Sequence, residues 1–147
     1  MSIETLMNIL IVEDNEPDQL LLQEAFKIAS SGNAHIDFVE DGQKVMDFLS
    51  KRNEFKDLPT PDLILLDLNI PKKDGRSLLA EIKAEENLRH IPILILTSSR
   101  SDNDVRACYR LGANGYILKP SRFPELLALV KAIHDFWLTK VIYPVPA

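Results

Sequence analysis

The sequence predicts an α/β fold built on a doubly wound parallel sheet of five strands, and three observations carry that prediction. Four short apolar runs, at residues 9–12, 63–66, 93–96 and 116–118, are bounded by polar or turn residues and do not alternate. Continuous Ile/Leu/Val runs of this length suit strands buried on both faces. A fifth run, residues 35–39, does alternate and reads as a half-exposed edge strand. Helical patterns separate the runs and come after the last one, and such β-α alternation implies right-handed crossovers with helices on both faces of the sheet.

The first strand, 9–12, ends at Glu13-Asp14, and a helix over 17–29 opens with Pro17 in its first turn and repeats Leu22, Ala25, Phe26 and Ala29 on one face. After the edge strand comes a helix over 42–50 carrying Val45, Met46, Phe48 and Leu49. Residues 51–61 then form a long polar loop with Pro59 and Pro61. The strand at 63–66 is followed by a helix over 75–84 with Leu78, Leu79 and Ile82, and the strand at 93–96 by a helix over 102–111 with Val105, Cys108, Tyr109 and Leu111. The strand at 116–118 leads to a helix over 123–138, with Pro124 in its first turn and Leu126, Leu129, Val130, Ile133 and Trp137 as its apolar set. Residues 1–138 are therefore read as one domain, and 139–147 as an apolar tail in which Pro144 and Pro146 forbid helix. A terminus this apolar is unusual. It suits packing on the domain itself or on a second subunit.

Bulk properties narrow the function classes. A chain of 147 residues suits one domain with a proper core. A net charge of −5, with Lys and Arg dispersed, gives no pull toward nucleic acid or an anionic membrane surface. The single cysteine, Cys108, cannot make an internal disulfide, which fits a reducing compartment, and its neighbours suggest a partly buried helical position. No basic n-region precedes the first apolar run, and no stretch approaches the roughly 20 apolar residues of a membrane span. A cytoplasmic protein is expected.

The chemistry lies just past the end of each buried strand, at Glu13-Asp14, Asp67, Thr97-Ser98 and Lys119. In an open parallel sheet these ends share one edge, where ligands bind at the point of strand-order reversal. Three acids, a hydroxyl and an amine thus converge on one site. Carboxylates at ~4 Å repel by about 4 kcal/mol at an effective dielectric of 20, so the cluster must hold a proton or a cation. All-oxygen ligation with few carboxylates suits Mg²⁺. Lys119 is no metal ligand; it suits an anion such as phosphate that also touches the metal, and Thr97 or Ser98 can donate to the same anion. Taken singly, Asp14 could cap the first helix, Thr97 the fourth, and Lys119 could be a surface lysine. Asp67 is harder to dismiss, because it directly follows a core strand with no helix near.

In their order, Ile11-Val12-Glu13-Asp14, Leu65-Leu66-Asp67-Leu68-Asn69-Ile70-Pro71, Asp74-Gly75, Leu96-Thr97-Ser98 and Tyr116-Ile117-Leu118-Lys119-Pro120 resemble the receiver domain of bacterial two-component response regulators. The match runs over residues 8–137. The long loop before Pro61, the segment 69–76, the Phe136-Trp137 pair and the tail further resemble the small regulators paired with bacterial phytochrome histidine kinases.

The resemblance implies a flavodoxin-like (βα)5 sheet of order 2-1-3-4-5. It implies that Asp67 takes a phosphoryl group from a phosphohistidine, with Mg²⁺ (or Mn²⁺) held by Glu13, Asp14, Asp67 and the Asn69 carbonyl. Lys119 would pair with the phosphoryl oxygens, Thr97 would hydrogen-bond to them, and Tyr116 would swing inward as Thr97 moves. A cis Lys119–Pro120 peptide is expected. Ser98, larger than many receivers carry after the switch hydroxyl, would screen attacking water and slow phosphoryl loss.

A homodimer is expected on the fourth helix, fifth strand and fifth helix, helped by Phe136, Trp137 and the tail. The chain is read as a signalling phosphoacceptor, not an enzyme with a separate substrate, and its length leaves no DNA-binding output domain. Rival readings are a pseudo-receiver that binds partners without phosphate, which should lack an acid or the lysine, and a flavin protein or phosphatase. Glu13-Asp14-Asn15-Glu16 is a poor phosphate loop for flavin, and Asn69 stands where a haloacid-type phosphatase would need a second Asp.

Overall fold

The computed structural model describes residues 6–144. Its sheet has five parallel strands in the order β2-β1-β3-β4-β5, where β1 is Met7–Val12, β2 Ala34–Val39, β3 Leu63–Leu66, β4 Ile93–Thr97 and β5 Gly115–Leu118. The helices are α1 Glu16–Ala29, α2 Gly42–Leu49, α3 Gly75–Ala84, α4 Asp102–Arg110 and α5 Phe123–Ile133. None of the helices in the described residues is long and apolar enough to cross a membrane.

The unbroken apolar runs are explained by two cores, one on each face. Leu10, Val12, Ile64, Leu66, Ile93 and Ile95 join α2, α3 and Cys108 of α4 on one side. Their neighbours Ile9, Ile11, Leu63, Leu65, Leu94 and Leu96 meet Leu22, Ala25 and Phe26 of α1 and Leu126, Val130 and Ile133 of α5 on the other. Successive strand side chains point to opposite faces, so a strand covered twice has no polar face. β2 lies at an edge and is half-buried along most of its length, as its alternation predicts.

Several expectations need correction. β5 holds the edge position that the order 2-1-3-4-5 implies, but its unbroken apolar run is only half-buried and Leu118 is exposed, because no strand lies beyond it. Cys108 is fully buried, since α4 turns it onto the core with Val12 and Leu66. The fifth helix does not run regularly to 138; it passes at Ile133 into a wider π-helical turn over His134–Leu138. Within the loop 51–61, Asn53–Phe55 forms a 3-10 turn that packs Phe55 against Phe48, ring centroids 5.3 Å apart. Finally, no peptide bond of the described residues is cis, so Lys119–Pro120 is trans. The trans form is favoured by about 0.5–1 kcal/mol at an X-Pro bond, and the Lys119 N–H stays in register on the Thr97 carbonyl at 2.8 Å.

The described part of the tail folds back on its own domain. The Tyr143 hydroxyl donates to the Trp137 carbonyl at 2.7 Å, and burial beside Asp62 raises its pKa to about 12. Ile142, by contrast, is 94% exposed, and residues 145–147 lie outside the described residues.

Candidate functional site

Backbone register brings the polar strand ends together. Val12 pairs with Leu66, so Glu13 and Asp67 emerge side by side from the two central strands. The Glu13 N–H donates to Val39, the Asp67 N–H to Val12 and the Lys119 N–H to Thr97, which extends the sheet's ladder by one residue and fixes where each side chain starts. Gly75 makes the next support possible. A Cβ there would lie 2.6 Å from Leu68 Cα and 3.0 Å from the Asp67 carbonyl oxygen, so only glycine lets α3 begin against this loop. The Gly75 N–H bonds to the Leu68 carbonyl at 3.2 Å.

Glu13 and Asp67 are only 2% and 7% exposed, and Lys119 reaches between them. Its ammonium donates to Asp67 Oδ2 at 2.8 Å, to Glu13 Oε1 in a very close contact, and to Asp18 Oδ2 at 3.2 Å. The remaining oxygens are also occupied: Asp67 Oδ1 accepts from the Asn69 N–H at 3.1 Å, and Glu13 Oε2 from the Asn15 N–H at 3.1 Å. Burial pushes the Glu13 carboxyl up, against the lowering effect of its hydrogen bond with Lys119. Burial alone would lower the Lys119 ammonium, but its hydrogen bonds to Asp67 and Glu13 outweigh that and hold it above the ordinary lysine range.

Asp14 stands at the exposed rim and does not cap α1; Asn15 does, accepting from the Asp18 N–H at 2.9 Å. Thr97 does not cap α4 either, because Ser101 does. Thr97 is fully buried, and its hydroxyl accepts from the Ser99 N–H at 3.5 Å, not from anything on Asp67. Tyr116 is half-buried and its hydroxyl donates to the Ser99 carbonyl at 2.9 Å. Burial raises its phenol, a change that the Ser99 bond opposes. Both proposed switch residues therefore hold the same residue of the β4–α4 loop.

The structure brings together Glu13, Asp67 and Lys119, keeps Asp14 and Asn69 at the rim, and ties Thr97 and Tyr116 to Ser99. Sequence reasoning missed Asp18 and Ser99. Asp18 carries no distinctive sequence signal, since an acid in the first turn of a helix is ordinary. Ser99 carries no sequence signal, since its part is played by its backbone.

Three carboxylates (Glu13, Asp18 and Asp67) meet one ammonium, and Asp14 follows Glu13 at the exposed rim, so the site carries an excess of negative charge in oxygen-only donors. That chemistry fits a hard divalent ion such as Mg²⁺ or Mn²⁺. Among the described residues no three His, Cys, Asp or Glu side chains form a ready ligand cluster, because Lys119 occupies the space between Glu13 and Asp67.

The family model described as the response regulator receiver domain matches residues 9–131. The response regulator Rcp1 of Synechocystis sp. (strain ATCC 27184 / PCC 6803 / Kazusa) is 43% identical over 136 residues, 92% of either chain. A structure of the phosphorylated cyanobacterial phytochrome response regulator RcpA superposes with a TM-score of 0.90 at 40% identity, covering 96% of this chain and 100% of the other. A structure of the Mn²⁺-bound form of Rcp1 does so with a TM-score of 0.88 at 42% identity, covering 95% and 99%.

Proposed function

This chain belongs to the response regulator receiver domain family, and from that premise we propose that Asp67 is its phosphoryl acceptor. The observation that carries the reading is the Lys119 ammonium, 2.8 Å from the buried Asp67 carboxylate and shared with Glu13. An Asp67 oxygen attacks the phosphorus of a kinase phosphohistidine. The P–N bond breaks, its electron pair stays on the imidazole nitrogen, and Asp67 becomes a carboxylic-phosphoric anhydride. Such a transfer needs positioning and charge stabilisation more than covalent help. Glu13, Asp14, Asp67 and the Asn69 carbonyl would hold Mg²⁺ or Mn²⁺, which neutralises charge on the transferring oxygens when bound. Lys119 turns from the carboxylates to the phosphoryl oxygens. Thr97 exchanges Ser99 for the phosphoryl group, and Tyr116 then loses its partner on the same loop, which biases the β4–α4 loop between two states.

The partner assigned by this reading is a phytochrome-type histidine kinase, because RcpA, to which the chain is 40% identical, is a phytochrome response regulator. The chain acts in the cytoplasm as a signalling phosphoacceptor whose only turnover is gain and loss of its own phosphoryl group. Incubation with acetyl phosphate and Mg²⁺ should add one phosphoryl group to the intact mass, and a chelator should abolish the gain. A gain indifferent to chelation rejects the metal's part.

A homodimer across α4, β5 and α5 is supported by exposed Tyr109 on α4, Leu118 at the end of β5 and Phe136 in the turn that follows α5. Cutting the chain after Leu138 should weaken sedimentation as a dimer, and an unchanged dimer rejects any contribution from the tail.

A further inference from the structure

Asp18 has no place in the acceptor chemistry just described, yet its Oδ2 lies 3.2 Å from the Lys119 ammonium. It projects from the first turn of α1, held there by the Asn15 cap, and its side chain is 38% exposed where those of Glu13 and Asp67 are 3% and 9%. With Leu21, Ser98, Lys119 and Pro120 it lines a cavity of about 290 Å³ that opens beside the lysine. Of the three acids on the phosphate-binding amine, Asp18 is thus the one that reaches solvent. A free phosphodonor whose oxygens are to reach Lys119 meets this exposed negative charge, and must displace it from the ammonium.

We propose that Asp18 is a specificity-determining residue that discriminates against small phosphodonors according to their negative charge. The inference rests on the phosphoacceptor reading of Asp67. A free anion has only its charge to bind with, so the carboxylate's repulsion falls wholly on its rate of entry. After transfer, Asp18 gives Lys119 up to the phosphoryl oxygens, and it ligates no metal.

The test compares wild type with Asp18→Asn, which keeps the size of the side chain and its place on the helix. Two probes are used: acetyl phosphate, a dianion near neutral pH, and phosphoramidate, whose protonated nitrogen leaves a single net negative charge. In each case Asp67 oxygen attacks phosphorus and the P–O or P–N bond breaks with its electron pair on acetate or ammonia. At low ionic strength the variant should take phosphate from acetyl phosphate about three- to ten-fold faster than wild type, with a smaller gain for phosphoramidate. Both gains should shrink in ~1 M salt, where the screening length falls to about 3 Å. Mg²⁺ affinity, read by calorimetry, should stay within about two-fold. An acetyl phosphate rate that is unchanged or lower in the variant overturns the inference, as does a gain that persists in high salt. A large loss of Mg²⁺ affinity also overturns it, since Asp18 would then be a ligand. Wild type that gains no mass from either donor overturns the Asp67 reading itself, and the inference with it.

Discussion

Lys119→Met should cost the metal-free protein about 3 kcal/mol of unfolding free energy, and millimolar Mg²⁺ should restore much of it. The side chains of Glu13, Asp67 and Lys119 are only 3%, 9% and 15% exposed, so the ion pairs are weakly screened. Removing one partner of a buried pair costs about 3–5 kcal/mol because the other is left charged and dry, and two carboxylates are orphaned here. Met keeps the length of the stem, so the loss is one of charge and hydrogen bonds rather than of packing. A divalent ion binding only the folded state supplies the missing charge and stabilises by mass action. Urea unfolding with chelator and with Mg²⁺ measures both effects. Equal losses under the two conditions would show that metal and amine do not answer the same carboxylates. The variant should also take phosphate from acetyl phosphate roughly 10²-fold more slowly, the usual effect of deleting one donor aimed at developing charge.

Gly75→Ala sets two effects of opposite sign against each other. Alanine is favoured over glycine in a helix by up to about 1 kcal/mol. Its Cβ, however, would meet Leu68 Cα at 2.6 Å and two carbonyl oxygens at 3.0 Å, all of them backbone, which cannot swing aside. Overpacking of this kind costs about 1–3 kcal/mol or more. The steric cost wins, and a net loss of about 2 kcal/mol is expected in chemical denaturation. Relief requires the Leu68 segment to shift and Asp67 with it, so phosphorylation should fall as well. Gly32→Ala is the control: its φ of +84° makes alanine strained there, but nothing lies within 4 Å, so stability should fall while phosphorylation stays unchanged. A Gly75→Ala protein as stable as wild type would contradict the packing argument.

The sheet was legible because burial on two faces leaves a plain mark, an apolar run without alternation, at β1, β3 and β4. The same mark misled at β5. Tyr116, Ile117 and Leu118 are as apolar as a central strand, and position at the edge is a property of the whole sheet that three residues cannot encode. The end of α5 misled for a similar reason, because Trp137 continues the helical spacing while the hydrogen bonds widen beneath it. Within the site, Glu13, Asp67, Thr97 and Lys119 were readable from a topological rule that puts strand ends on one edge. Asp18 was not, because an acid in a helix's first turn is ordinary and favoured by the helix dipole. The Ser99 carbonyl and N–H were invisible too, since a backbone contact depends on the loop's path and not on the residue's identity. The Lys119–Pro120 isomer turns on a balance of less than about 1 kcal/mol, too small for a sequence motif to settle.

Asp67 is the residue on which every proposed step depends, and intact mass after incubation with acetyl phosphate and Mg²⁺ tests its role most directly. Wild type should gain one phosphoryl group, and Asp67→Asn, which is isosteric but has lost the attacking carboxylate, should gain none. An Asp67→Asn protein that takes up phosphate as readily as wild type would contradict the assignment of Asp67 as the acceptor.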